Sequence, residues 1–228
     1  MKSANDWTAV PQIDSKYYPE LRAALRNWWL EQGRRFPWRA QNNPYAIFLA
    51  EVILQKTQVA KAERAYNELI VAYPTIIALA QAPLTHLEEI FTWLGLRKRA
   101  RFLLLAAQQI AELHQGVIPC ERKLLKQFPG IGDYSANAIL CFAYKQPVPI
   151  VDTTIARALK RLLGFQSARA PWEDPITWRI ASEFLDVERP VEHNYALLDL
   201  AALICAENPK CSICPLKSWC SYYKTIHL

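Results

Sequence analysis

The sequence predicts an all-α protein, and three observations carry that reading. Glycine is scarce, with 6 in 228 residues, so the tight turns that link many short strands are few. Apolar residues recur at spacings of three and four, and no strand-like alternation is sustained. Prolines at 37, 44, 74, 83, 119, 129, 147 and 149 fall between the periodic segments and mark their ends.

Taken in chain order, the first helical face carries Leu21, Ala24, Leu25, Trp28 and Trp29. The next two carry Ala62, Ala65, Tyr66, Leu69 and Ile70, then Leu87, Ile90 and Leu94. The stretch 98–114 predicts a longer helix with Leu103, Ala106, Ala107, Ile110 and Leu113 inward. Between 124 and 139 a helix ends at Pro129, two glycines turn the chain, and a second helix starts near Asp133. Ile155, Ala158, Leu159 and Leu162 form the face that follows Asp152. Ile176, Ile180, Phe184 and Val187 form the last.

Composition bounds the function. Apolar residues make up 52% and charged residues 21%, the balance of a globular rather than a disordered chain. No apolar run approaches the ~18–20 residues that cross a bilayer. The opening MKSANDWTAVPQ has no apolar secretory core, so an intracellular protein with no membrane partner is expected. The net charge of +6 permits contact with nucleic acid without requiring it.

Three constellations rise above this background. In Pro129-Gly130-Ile131-Gly132 the two glycines can take φ > 0 and leave their N–H groups uncovered. With the N-terminus of the following helix they can hold a phosphate through backbone alone, indifferent to base sequence. An ordinary corner between helices uses the same residues. Asp152, after Pro149-Ile150-Val151, reads first as a helix N-cap. A carboxylate soon after a phosphate-gripping turn is also where an enzyme can stabilise a cationic sugar. Cys205, Cys211, Cys214 and Cys220 are the third set. In a reducing compartment four thiolates so close together enclose an iron–sulfur cluster or a tetrahedral zinc sooner than form disulfides. Cys120 and Cys141 stand apart and read as small core residues.

With these motifs in order, the chain resembles the helix-hairpin-helix DNA glycosylase superfamily, in its adenine-glycosylase and endonuclease III branch. The likeness also takes in Phe36-Pro37-Trp38-Arg39, Pro44-Tyr45 and the run from Leu49 to Val59. It implies two all-α modules with DNA in the cleft between them. Residues 36–146 would form a six-helix barrel module carrying the hairpin at about 124–140. Residues 1–35 and 147–228 would form a second helical module whose loop 205–220 holds a 4Fe-4S cluster on the four cysteines. Carried over by position, Asp152 is the catalytic carboxylate and Glu51 the proton donor to the leaving base. Trp38, Arg39 and Tyr195 fall at the base pocket. Gly130, Gly132, Gln55 and Lys56 fall at the DNA contact, Lys56 where a wedging glutamine stands in the adenine enzymes.

Residue 134 bears on reaction type. Bifunctional relatives have a lysine there that attacks the sugar, whereas Tyr134 cannot form a Schiff base, so a monofunctional hydrolytic enzyme with Tyr134 near the catalytic group is expected. Several departures separate the chain from the adenine enzymes: Leu96-Arg97 in place of Tyr-Tyr, Tyr195 in place of an amide or carboxyl, Thr154 after the aspartate, and no segment after Leu228 for reading 8-oxoguanine. The compact form is similar to the archaeal thymine–DNA mismatch glycosylases. The resemblance thus implies removal of thymine or uracil opposite guanine from mismatched double-stranded DNA by a monomer. The alternatives are adenine removal opposite guanine or 8-oxoguanine, and a non-catalytic iron–sulfur protein that binds DNA.

Overall fold

The computed structural model describes residues 13–167 and 169–226. The opening segment read above for its lack of a secretory core lies outside the described residues. The described residues contain helices and no strand. In chain order these are α1 (Tyr18–Gln32), α2 (Pro44–Leu54), α3 (Val59–Ala72), α4 (Ile76–Ala80), α5 (Leu84–Trp93) and α6 (Lys98–His114). They continue with α7 (Arg122–Leu125), α8 (Asp133–Tyr144), α9 (Thr153–Leu163), α10 (Pro175–Phe184), α11 (Pro190–Leu203) and α12 (Ser221–Ile226). The chain divides into two compact units, one of residues 1–34 with 147–228 and one of residues 35–146.

The continuous unit is built around α2. Asn43 caps this helix by accepting from the Tyr45 N–H at 2.9 Å, and Pro44 stands at its start, where a missing N–H costs nothing. Every residue from Tyr45 to Ile53 is buried, so α2 has no water-facing side. It packs on α3 and α8, while α4 and α5 pack on α6. The expected inward face of α6 is buried at Leu103, Ala106, Ala107 and Ile110. Leu113 instead is 67% exposed, because the helix is about to end at Gln115, which takes φ 53. At the hairpin the first helix stops at Leu125, earlier than the expected end at Pro129. The Gln127 and Phe128 N–H groups bond back only three residues, to Leu124 and Leu125. That tightened turn suits a chain about to meet proline, which disfavours helix at the residue before it. The second helix begins at Asp133, as the sequence indicates. Cys141 is buried, but Cys120 is exposed and is no core residue.

The other unit joins α1 to α9–α12. Its central helix is α11, buried at Pro190, from His193 to Leu197 and from Asp199 to Ala201. Asp199, fully buried, accepts from Trp29 Nε1 at 3.1 Å, Arg34 N at 2.8 Å and Arg34 Nε at 2.6 Å. A second ion pair joins Arg26 to Glu192. These bonds fasten α1 and the residues after it to α11. Helix α9 packs on α10, α11 and α12 with Ile155, Ala158, Leu159 and Leu162 buried. On α10 only Ile180 and Phe184 of the expected face are buried. Ile176 and Val187 are exposed, since Val187 lies past the helix end and the buried stripe runs instead through Thr177 and Ala181.

Candidate functional site

Glu51 is a carboxyl on a helix that is buried all round. It is 4% exposed, and its Oε2 has no hydrogen-bond partner among the described residues. Burial removes the water that would stabilise its charge and pushes its pKa up to about 8, while the nearby Arg39 guanidinium pulls the other way. At neutral pH this group therefore keeps its proton and can donate it. Arg39 lies with its guanidinium 5.0 Å from the centre of the Phe36 ring. Phe36 in turn stacks on Trp38 with ring centres 4.9 Å apart. Trp38 is 3% exposed and also meets Tyr66 edge-on at 5.4 Å. Its ring is thus packed between Phe36 and Tyr66 rather than presenting an open face.

Of the two hairpin glycines only Gly130 takes the expected positive φ, while Gly132 stands at φ −94, a conformation open to any residue. Gly130 takes φ 82, a left-handed conformation that L side chains rarely adopt. Gly132 is the N-cap residue of α8, and a Cβ there would meet nothing within 4 Å, so the turn is open in front of it. Asp133, first in α8, is held by Arg122 at 2.6 Å and Lys126 at 2.5 Å, which balance its charge beside the glycines. Tyr134 follows, partly buried at the start of α8. Lys56 is exposed at the exit of α2 with φ 54, uncommon for a residue with a side chain. Gln55 does not point outward. Its amide donates to Gly130 O and Ser135 Oγ.

Asp152 caps α9. Its Oδ1 accepts from the Ile155 N–H at 2.7 Å and from the Thr154 hydroxyl at 2.8 Å, with the same hydroxyl 3.1 Å from Oδ2. Capping and a candidate catalytic role thus fall on one side chain, whose second oxygen retains acceptor capacity. The segment leading to it is held by Asn194 of α11, which the sequence reading passed over. Asn194 accepts from the Ile150 N–H at 3.2 Å and donates to Val148 O and Pro190 O, each at 3.0 Å. The next residue, Tyr195, is 5% exposed and stacks against Trp29 with ring centres 6.3 Å apart. The contacts described for it lie in the core of its own unit.

Cys205, Cys211, Cys214 and Cys220 line one small cavity together with Arg161, Ile204, Pro209, Tyr222 and Tyr223. Burial above all, with neighbouring thiols adding, pushes Cys214 and Cys220 up to about 11. Among the described residues no three His, Cys, Asp or Glu side chains are arranged to hold a single metal ion. Arg161 anchors the loop, donating to Ala206 O and to Glu207 O at 3.0 Å and passing 3.7 Å from Cys205 Sγ. Arg157 donates to Ala201 O and Cys205 O. Both arginines went unread in the sequence, although their spacing of four on α9 puts them on one helix face.

With this geometry in view, comparison with known proteins assigns the fold. Residues 49–173 match the profile described as HhH-GPD superfamily base excision DNA repair protein. A protein of Aeropyrum pernix named thymine-DNA glycosylase is 37% identical over 92% of this chain and 97% of its own length. One of Pyrobaculum aerophilum named thymine/uracil-DNA glycosylase is 35% identical, covering 91% and 93%. An adenine DNA glycosylase of Buchnera aphidicola is 33% identical over 87% of this chain and 57% of its own. Among solved structures, a thermostable thymine-DNA glycosylase superposes with a TM-score of 0.86 at 26% identity, over 92% of this chain and 98% of that one. The chain belongs to the HhH-GPD superfamily of base excision DNA repair proteins.

Proposed function

We propose that this protein is a monofunctional DNA glycosylase that hydrolyses the N-glycosidic bond of thymine or uracil mispaired with guanine in double-stranded DNA. The observation that carries the reading is the likeness, over nearly the whole of both chains, to proteins named thymine-DNA and thymine/uracil-DNA glycosylase. The side chains support it. The target base must leave the stack to be reached. Bond breaking then develops positive charge on the sugar, which a fixed carboxylate such as Asp152 stabilises while orienting the attacking water. Glu51, protonated at neutral pH, donates a hydrogen bond or a proton to the leaving base. The hairpin amides of Gly130 and Gly132 grip a phosphate, and Tyr134 supplies no amine for a Schiff base. Lys56, displayed at the exit of α2, meets the duplex.

The four cysteines fit a 4Fe-4S cluster, since soft sulfur donors share one cavity walled by Ile204, Pro209, Tyr222 and Tyr223. A single tetrahedral zinc on the same four thiolates is the alternative. When bound, the cluster would tie the loop to α9 and take no part in bond cleavage. Adenine removal is the second reading. It is favoured by the match to adenine glycosylases and by a carboxyl that keeps its proton, because a purine leaves more readily once protonated.

The test is a labelled duplex panel with T·G, U·G, A·G and A·8-oxoguanine pairs, with alkali added to reveal abasic sites. Cleavage at T·G and U·G is expected. Cleavage at the adenine pairs alone would establish the second reading, and none on any duplex would leave a DNA-binding protein without this chemistry. Borohydride should trap no covalent adduct, and a strong adduct would overturn the monofunctional assignment.

A further inference from the structure

One side chain joins the exit of α2 to the hairpin. Gln55 Nε2 donates to Gly130 O at 2.9 Å and to Ser135 Oγ at 3.0 Å. The peptide linking Gly130 to Ile131 is therefore bonded at both ends, because the Ile131 N–H donates to Phe128 O at 3.2 Å. A glycine at φ 82 in an open turn has neighbouring conformations within reach. A peptide plane hydrogen-bonded on both edges does not rotate freely among them. The N–H groups of Gly130 and Gly132 have no acceptor among the described residues, and the fixed plane lies between the two peptides that carry them. Gln55 is itself held at its main chain. Its carbonyl accepts from Arg99 Nη1 and from Thr57 Oγ1.

We infer that Gln55 is a positioning residue for phosphate binding by the hairpin, acting through the Gly130–Ile131 peptide rather than by touching the bases. The inference rests on the proposed function of the hairpin as a phosphate grip. A contact made by backbone amides carries no base information, so loss of Gln55 weakens every duplex alike. A wedge or a base reader would act on the mismatch alone.

The experiment measures fluorescence anisotropy on two duplexes of one sequence, fully paired and carrying T·G, with thermal melting of each variant. Gln55→Met keeps the length of the side chain and removes its amide. Its dissociation constant is expected to rise about five- to tenfold by the same factor on both duplexes, the range of one or two lost hydrogen bonds. Ser135→Ala, a change that helix propensity favours, is expected to weaken both by about twofold. The double variant should bind no worse than Gln55→Met alone. A loss confined to the T·G duplex, unchanged affinity on both, or fully additive losses would each overturn the inference. Should Gln55→Met melt early, Ser135→Ala decides alone: equal weakening supports the role and no change overturns it. A wild-type protein that binds neither duplex would instead overturn the reading of the hairpin.

Discussion

Glu51 shows how one residue's surroundings set its chemistry. Its pKa, ordinarily 4.5, is pushed by burial to about 8. If it serves as acid, the single-turnover rate should fall as pH rises through about 8, and a rate that climbs steadily from pH 6 to 9 would contradict the role. The same shift has a stability consequence. Between pH 4.5 and about 8 the unfolded chain releases a proton that the folded chain keeps, so stability declines across that window. Glu51→Gln, uncharged and of the same size, should melt higher than wild type at pH 8, with the gap closing towards pH 5. Its turnover should drop even so. Asp152→Asn should lower the single-turnover rate by about 100-fold or more while duplex binding persists. An unchanged rate would remove Asp152 from the mechanism. The places of these residues along the chain were legible in residue order, since Asp152, Glu51 and the glycines stand in recognisable runs. The packing of Trp38 and Tyr195 was not, because a ring suited to stacking on a base is equally suited to stacking on Phe36 or Trp29. Asn194 was invisible for a different reason: its partners Val148 and Ile150 are more than forty positions away.

At the level of elements, legibility followed amphipathicity. The faces of α1, α3, α5, α6 and α9 alternate with polar positions at helical spacing, and they stood out. Helices α2 and α11, which carry Glu51 and Asn194, are buried nearly all round and present no polar stripe to reveal a period. Glu51 and Asn194 thus sit on helices that periodicity could not see, whereas Asp152 caps α9, whose face was plain. Two predictions belong here. Asp199 accepts three hydrogen bonds from Trp29 and Arg34 in a fully buried position. Asp199→Ala takes one acceptor from the half-buried Arg34 and from the Trp29 N–H, and should cost about 2–4 kcal/mol in urea unfolding, because α1 and the residues after it lose a tie to α11. His193, also on α11, lies edge-on to Phe184 and near Arg22 and Asp186. Burial first, then Arg22, pushes its pKa down to about 3, so the folded chain holds it neutral. The stability this protects is present above pH 6.5 and lost as pH falls from there towards 3. His193→Leu should flatten that acid-side loss in melts taken from pH 7 to 4, and an unaltered slope would contradict it.

For the molecule as a whole, the cysteine loop and the order of the chain matter most. If the loop holds a cluster, protein prepared without oxygen should carry about four irons per chain. Cys214→Ser should lose that iron and the melting temperature should fall, as the 205–220 loop loses its tie to α9. Stoichiometric zinc with no visible absorption would overturn the cluster. The overall arrangement was legible because several moderately specific motifs occur in one order. Their division between two units is a matter of long-range contact that no local pattern encodes. One unit combines residues 1–34 with 147–228, and the bond between Arg26 and Glu192 spans 166 positions. On a ribosome adding roughly 5–20 residues per second, α1 emerges on the order of ten seconds before the helix it must pair with. Residues 35–146, a compact unit in themselves, emerge before α11 and can condense while the nascent α1 still waits with Leu21 and Leu25 uncovered. That interval is when a chaperone has most to protect.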